Sequence, residues 1–201
     1  MKKIILCILI TNYVSVTSFA QETGRRTEVK SGIITLTSEF LGQELISKRY
    51  FDDYGKRSAE YMLAPLYEGG VKRDSLIAGK FFLEDEILFV DYVHKSVGKI
   101  EGGDESINFL NLTDEVNRKH RIKVVGEETV CGKPCVRYSL LSEFNGKKTK
   151  CQVWVWRGIA LKTKFFSFPF ERETEAVDVR VDVPVDSSVF VIPDFPRVTG
   201  P

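Results

Sequence analysis

The chain has 201 residues, of which 29 are basic and 28 acidic, for a formal net charge of +1. Lysines and arginines stand in ones and twos, so no face carries the basic footprint that nucleic acid or an anionic membrane surface requires. The length suits one domain with its own core, within the usual span of roughly 100–200 residues per domain.

In chain order, the first element is a leader. In "MKKIILCILITNYVSVTSFAQE" two lysines precede an apolar run, and Ser18 and Ala20 occupy the small positions a signal peptidase needs. Residues 1–20 are expected to be a signal peptide, with cleavage leaving 181 residues that begin at Gln21. Lys2 and Lys3 leave with it, so 27 basic residues face 28 acidic ones, a net charge of −1. The run is broken by Thr11 and Asn12, and crossing about 30 Å of hydrocarbon takes about 20 apolar residues, so no transmembrane segment is expected here or later. Cys7, preceded by Ile-Ile-Leu instead of small residues, is no lipid attachment site. The expected location is the periplasm, with release from the cell left open.

Period-two patterns dominate the rest of the chain. Strands are expected in the stretches 29–40, 44–51, 86–94, 133–141 and 150–156, and most clearly where Val177, Val179, Val181 and Val183 alternate with Asp178, Arg180 and Asp182. Turn signals separate them at Asp53-Tyr54-Gly55, Glu68-Gly69-Gly70, Gly102-Gly103-Asp104 and Asn145-Gly146. One short helix is expected from Thr113 to Lys119, with Asp114 and Glu115 in its first turn. The prolines after position 192 suggest an extended end. The domain is expected to cover residues 21–196, with a flexible tail at 197–201.

Asn145-Gly146 favours a two-residue hairpin turn and thereby sets which residues face each other. In that register Leu140 faces Cys151, Tyr138 faces Val153 and Val136 faces Val155, all on one apolar side. Arg137 faces Trp154 and Cys135 faces Trp156 on the other. The valines are expected to look into the main core, with both tryptophans on the opposite, mixed face. A guanidinium laid on an indole contributes roughly 0.5–1 kcal/mol when exposed, so tryptophans packed under arginine suffice to explain the pattern. A ligand platform is the alternative.

Chemistry-bearing residues are few. Cys131 and Cys135 flank Gly132-Lys133-Pro134, and a three-residue hairpin loop would set them opposite each other as a disulfide; two unpaired thiols are the competing reading. The spacing is not that of a thioredoxin-like site. A zinc site from Cys131, Cys135, Cys151 and His120 fails because Cys135 and Cys151 fall on opposite faces. His94 and His120 lie near no candidate nucleophile, and no hydrolase, metalloprotease, phosphate-loop or dinucleotide motif is present. Asp52 and Asp53 are turn formers, and Cys151 is a small core residue. No catalytic residue, metal or cofactor is assigned.

Two stretches, "GEETVCGKPCVRYSLLSEFNGKKTKCQVWVWRGIALK" and "DVPVDSSVFVIPDF", resemble the C-terminal half of the LolA/LolB-like outer-membrane lipoprotein-carrier superfamily, nearest its small exported Bacteroidetes-type members. Gly126 to Val130 with Gly132-Lys133, Trp154 to Leu161, and Val189 to Pro193 carry the likeness; "VKSGIITLTSEFLGQELISKRYFDDYGKR" and "INFLNLT" extend it more loosely to most of residues 28–195. The resemblance implies a mainly β (α+β) fold, a curved antiparallel sheet forming an incomplete barrel, with one or two short helices or loops over an apolar concave face. This sequence offers little helix to cover that face, so residues 62–80 would cover it, or Phe165 and Phe168 would fill it. The same resemblance makes Asp74-Ser75-Leu76 a candidate O-glycosylation sequence.

The leading functional reading is an exported protein without covalent chemistry that binds a lipid or lipidated protein along Tyr138, Leu140, Val153 and Val155, with Trp154 and Trp156 as neighbouring contacts. The second is a module that binds an envelope protein through edge strands or the Trp154/Trp156 face. An open apolar groove favours the first, and a filled interior with exposed aromatics favours the second. An unrecognised hydrolase comes third, and a carboxylate and histidine sharing a cleft would raise it.

Overall fold

The computed structural model describes residues 24–198 apart from 41, 69–70, 84–85, 101–106, 145–146 and 168–169. The expected signal peptide, Cys7, the turn residues 69–70, 102–104 and 145–146, and Phe168 lie outside the described residues. Twelve strands form one sheet: β1 (Gly32–Phe40), β2 (Gln43–Asp52), β3 (Arg57–Glu68), β4 (Val71–Leu83), β5 (Glu86–Asp91), β6 (Ser96–Lys99), β7 (Lys123–Val130), β8 (Lys133–Phe144), β9 (Lys147–Trp156), β10 (Ile159–Ser167), β11 (Phe170–Val181) and β12 (Arg197–Val198). Their order is β12-β6-β5-β4-β3-β2-β1-β11-β10-β9-β8-β7, with β7 and β12 at the two ends, so the sheet is open. Every pairing is antiparallel except that of β12 with β6. A mainly β, curved and incomplete barrel is therefore the fold.

Residues 62–80 are not a cover; they form most of β3 and β4, which pair from Arg57↔Leu83 to Glu68↔Val71. The ladder slips between Met62 and Leu63, and Pro65, Ala64 and Gly79 interrupt the β-branched pattern on which strand recognition depends. The end of the described chain is extended and packed on the sheet. Ile192 and Phe195 pack beside the buried cluster of Phe81, Val90 and Phe190, the Val97 N–H donates to the Pro196 carbonyl at 3.0 Å, and Arg197 and Val198 pair with Val97 and Gly98. The Tyr61 hydroxyl donates to the Val189 carbonyl at 2.7 Å. Burial, with Tyr92 alongside, pushes that hydroxyl up to about 12, so it donates throughout the ordinary pH range.

The single α-helix among the described residues, α1, runs Asp114–His120. Thr113 caps it, its hydroxyl accepting from the Val116 N–H at 3.3 Å. Acidic Asp114 and Glu115 open the helix and basic Arg118, Lys119 and His120 close it, both matching the helix dipole. The helix ends at Arg121, which adopts the left-handed conformation.

Candidate functional site

The β8–β9 register is the one expected: Val136↔Val155, Arg137↔Trp154, Tyr138↔Val153 and Leu140↔Cys151. Phe144 pairs with Lys147, as a two-residue turn at Asn145-Gly146 requires. Leu140, Cys151, Val153 and Val155 are buried together with Ile107, and Tyr138 and Phe165 pack against them. Phe109, Leu112, Val116 and Ile122 complete that cluster, so one segment outside the sheet, residues 107–122 including α1, covers the valine face. Phe109 meets Tyr138 ring to ring at 5.2 Å.

This plug is not legible in the sequence. Ile107, Phe109 and Leu112 precede the helix in irregular backbone, where apolar residues follow neither period. The nearest signal is the apolar spacing of "INFLNLT". Because the plug fills the face, no open groove lies along Val153 and Val155 among the described residues. An open depression of about 470 Å³ lies instead beside α1, bounded by Asp114, Asn117 and Arg118.

The tryptophans lie opposite the valines, as expected, but Trp154 is buried. Trp154 is 4% exposed and belongs to the buried cluster of Ile34, Leu36, Phe51, Leu161 and Ala176, while the valines belong to the separate cluster under the plug. Trp154 is therefore a core residue, not part of an exposed docking face. The register shifts beside it between Ala160 and Lys162 in β10 and between Thr35 and Leu36 in β1, each paired to a neighbouring strand. The Trp154 indole N–H donates to Glu128 at 2.8 Å, and cations stand over the ring from either side, Lys162 at 5.3 Å and Arg137 at 5.9 Å. Trp156 is half-buried and lies under Lys133 at 5.0 Å and Arg157 at 5.1 Å. Tryptophans packed under cations thus describe both positions.

The cysteine expectation also changes. The β7–β8 connection is a two-residue turn, Cys131-Gly132, since Val130 pairs with Lys133, and both turn residues have positive φ, 47° and 70°. Cys135 consequently faces Glu128 and not Cys131. Cys131, Cys135 and Cys151 are free thiols. Burial pushes the Cys135 thiol above its ordinary range, which leaves it poorly reactive.

The two histidines make separate contacts. His94 and Asp91 do meet, Nδ1 to Oδ2 at 2.8 Å, but on the exposed turn after β5, where the same carboxylate accepts from the Val93 and His94 amides. Those amides and the ring hold Asp91 below the ordinary carboxylate range. His120 is buried, its Nδ1 3.1 Å from the Leu141 carbonyl, and so ties α1 to β8. Among the described residues no three metal-capable side chains cluster, and no helix is long and apolar enough to cross a membrane.

A polar row crosses the other half of the sheet. Arg49, Glu60, Lys80 and Phe89 stand opposite one another on β2, β3, β4 and β5. The Arg49 Nε donates to Glu60 at 2.8 Å and its Nη2 lies 2.7 Å from the same oxygen. Its third arm donates to the Ala160 carbonyl at 3.1 Å, reaching from β2 to β10 across two intervening strands. Burial alone would raise the Glu60 carboxyl, but Arg49 and Lys80, with hydrogen bonds from Arg49 and Ser47, hold it below its ordinary range. Arg49 is thus a strut between β2 and β10.

No family model matches the chain, and no curated protein does. Among solved structures, an uncharacterized conserved protein from Thermus thermophilus is similar over 88% of this chain and 94% of that one, with a TM-score of 0.51 and 11% identity. MucB, in complex with MucA(peri), is similar over 87% of this chain and 57% of that one, at a TM-score of 0.48 and 12% identity. A protein described as an outer membrane lipoprotein-sorting domain from Vibrio parahaemolyticus is similar over 85% and 94%, at a TM-score of 0.40 and 13% identity. At 11% identity the Thermus likeness is one of fold alone, and that fold is the open, curved antiparallel sheet described above.

Proposed function

We propose that the chain is an exported binding protein of the lipoprotein-carrier type, working in the periplasm without covalent chemistry. Its ligand is apolar or lipidated and lies along Tyr138, Leu140, Val153 and Val155. The face is filled instead of open, so the reading requires the cover to be displaced, and one observation supports that: the apolar face is covered by a single non-sheet segment, residues 107–122, instead of by a second layer. A single short segment is cheaper to displace than a packed layer, because few strand hydrogen bonds break when it moves. Segment 107–122 stands where an acyl chain would lie. The motif likeness at Gly126–Val130 and Trp154–Leu161 supports membership of that superfamily.

The test is titration with cis-parinaric acid, a fatty acid that fluoresces only out of water. Saturable binding, displaced by a non-fluorescent fatty acid and abolished by Val153→Trp at unchanged fold, is the expected result. Absence of saturable binding at concentrations well above those of ordinary fatty-acid carriers refutes the reading.

A second reading rests on β7. Among the described residues this strand ends the sheet, pairs only with β8, and leaves Val124 65% and Val125 41% exposed. Such an edge suits addition of an extended strand from an envelope protein. Val124→Lys would then abolish partner recovery while leaving fatty-acid binding intact.

A further inference from the structure

The plug is not held by apolar contacts alone. Residues 24–27, the first described stretch of the chain, run between three separate parts of the fold. The Arg26 and Thr27 amides donate to the Tyr54 carbonyl at 2.9 and 3.0 Å, and the Glu28 amide donates to the Arg157 carbonyl at 3.1 Å. The Arg25 guanidinium lies 3.5 Å from the centre of the Tyr54 ring. This short stretch is therefore fixed to the turn after β2, and the residue that follows it, Glu28, to the turn after β9.

From that position it grips the start of the plug twice. The Asn108 side-chain amide donates to the Arg25 carbonyl at 2.8 Å, and the Arg26 guanidinium donates to the Ile107 carbonyl at 3.3 Å. Arg26 also lies over the Phe82 ring at 4.3 Å, so it joins β4 to the plug. The Asn108 side-chain oxygen meanwhile accepts from the Leu110 amide at 3.1 Å, folding the plug's first turn. A shared seat completes the arrangement: at Gly158 an added Cβ would stand 2.3 Å from the Arg26 carbonyl oxygen and 2.8 Å from Leu110. Latch and plug rest on the same glycine. At the far end the plug is tied to the sheet by His120, so only its leading end depends on residues 24–27.

Resting on the ligand-binding reading above, we infer that residues 24–27 are a latch: through Arg25, Arg26 and Asn108 they hold residues 107–112 over the valine face, and their release admits the ligand. The device sets access without touching the apolar lining. Loosening it exposes the face from the Ile107 end, while α1 stays moored through His120.

The discriminating variant is Asn108→Asp in the full chain. It keeps the acceptor for the Leu110 amide, removes the donor to Arg25 and places a carboxylate against that carbonyl. Arg26→Met is the second variant, and Gly132→Ala, at an open turn with no atom within 4 Å of the added Cβ, is the control for general destabilisation. Hydrogen exchange followed by mass spectrometry, together with the rate of cis-parinaric acid uptake, gives two readouts. With one hydrogen bond lost from the closed state alone, exchange across 107–112 rises about fivefold to tenfold in Asn108→Asp and Arg26→Met. Exchange in β8 and β9 away from the plug stays unchanged, and uptake accelerates in proportion. Gly132→Ala does neither. Unchanged exchange at 107–112 in both variants overturns the latch, whatever uptake does. Faster exchange with no uptake by any form leaves the latch standing and removes the ligand reading instead.

Discussion

Replacing Arg49 with methionine removes the strut that ties β2 to β10 and leaves Glu60 with Lys80 as its remaining cationic neighbour. Methionine keeps much of the side chain's volume, so the cost is chiefly electrostatic. Two contacts from Arg49 to Glu60 and one to the Ala160 carbonyl are lost. Hydrogen bonds to charged groups contribute about 1.5–3 kcal/mol, and removing one partner of a fully buried pair costs about 3–5 kcal/mol. Lys80 and partial exposure discount the upper figure, which leaves about 2–3 kcal/mol. For a domain of this size that lowers Tm by about 4–12 °C at pH 7. The pH dependence separates this account from simple loss of packing. In the parent chain the folded pKa of Glu60 is lowered, so its contribution is present above the unfolded carboxylate pKa and is lost as pH falls through the folded one. In the variant burial acts with less opposition, and protonation relieves the stranded charge. The Tm deficit of Arg49→Met should therefore shrink between pH 7 and pH 4, measured by circular dichroism melts at both. A deficit under about 1 °C at pH 7, or one that does not change with pH, refutes the strut.

Three further outcomes are expected. Gly158→Ala combines a left-handed φ of 82° with a Cβ 2.3 Å from a backbone oxygen, whereas Gly132→Ala has a φ of 70° and open space. The first should melt several degrees below the second, which carries only the left-handed penalty of about 1–2 kcal/mol. Native alkylation should label half-buried Cys131 first, with Cys135 and Cys151 reacting on unfolding, and the intact mass of a chain beginning at Gln21 should show its three cysteines as free thiols; a mass two hydrogens lighter would contradict the turn geometry at Cys131-Gly132. Trp156 emission, left alone in Trp154→Phe, should be more readily quenched by acrylamide than Trp154 emission, left alone in Trp156→Phe, because Trp154 is buried and Trp156 half-buried; equal quenching in the two variants would contradict that placement.

The fold is legible in the sequence where side chains alternate cleanly and turns are short. Asn145-Gly146 specifies the register of β8 and β9 to the residue, because two-residue turns leave no freedom in pairing. Thr113 and the charges of "DEVNRKH" locate α1 to within one residue. β7 is hidden because it is an edge with neither face buried over most of its length, so nothing selects alternation in "KVVGEETV". β3 and β4 are hidden because a register slip and Pro65 break the period. At the candidate site, sequence reasoning identifies Tyr138, Leu140, Val153 and Val155 as one apolar face but not what lies on it. Pairing rules say which residues share a face; which distant segment covers it is decided by three-dimensional packing. The burial of Trp154 has the same origin, since its cluster draws on β1, β2, β10 and β11 as well as on β7 and β8.

The central claim is that the valine face of this half-barrel holds an apolar or lipidated ligand in place of segment 107–122. Native mass spectrometry on protein recovered from the envelope fraction of its own cells tests it most directly. A lipid-sized adduct on the processed chain, removed by solvent extraction and absent from Val153→Trp, is the predicted result. A bare mass for both forms, under conditions gentle enough to preserve weak lipid complexes, contradicts it.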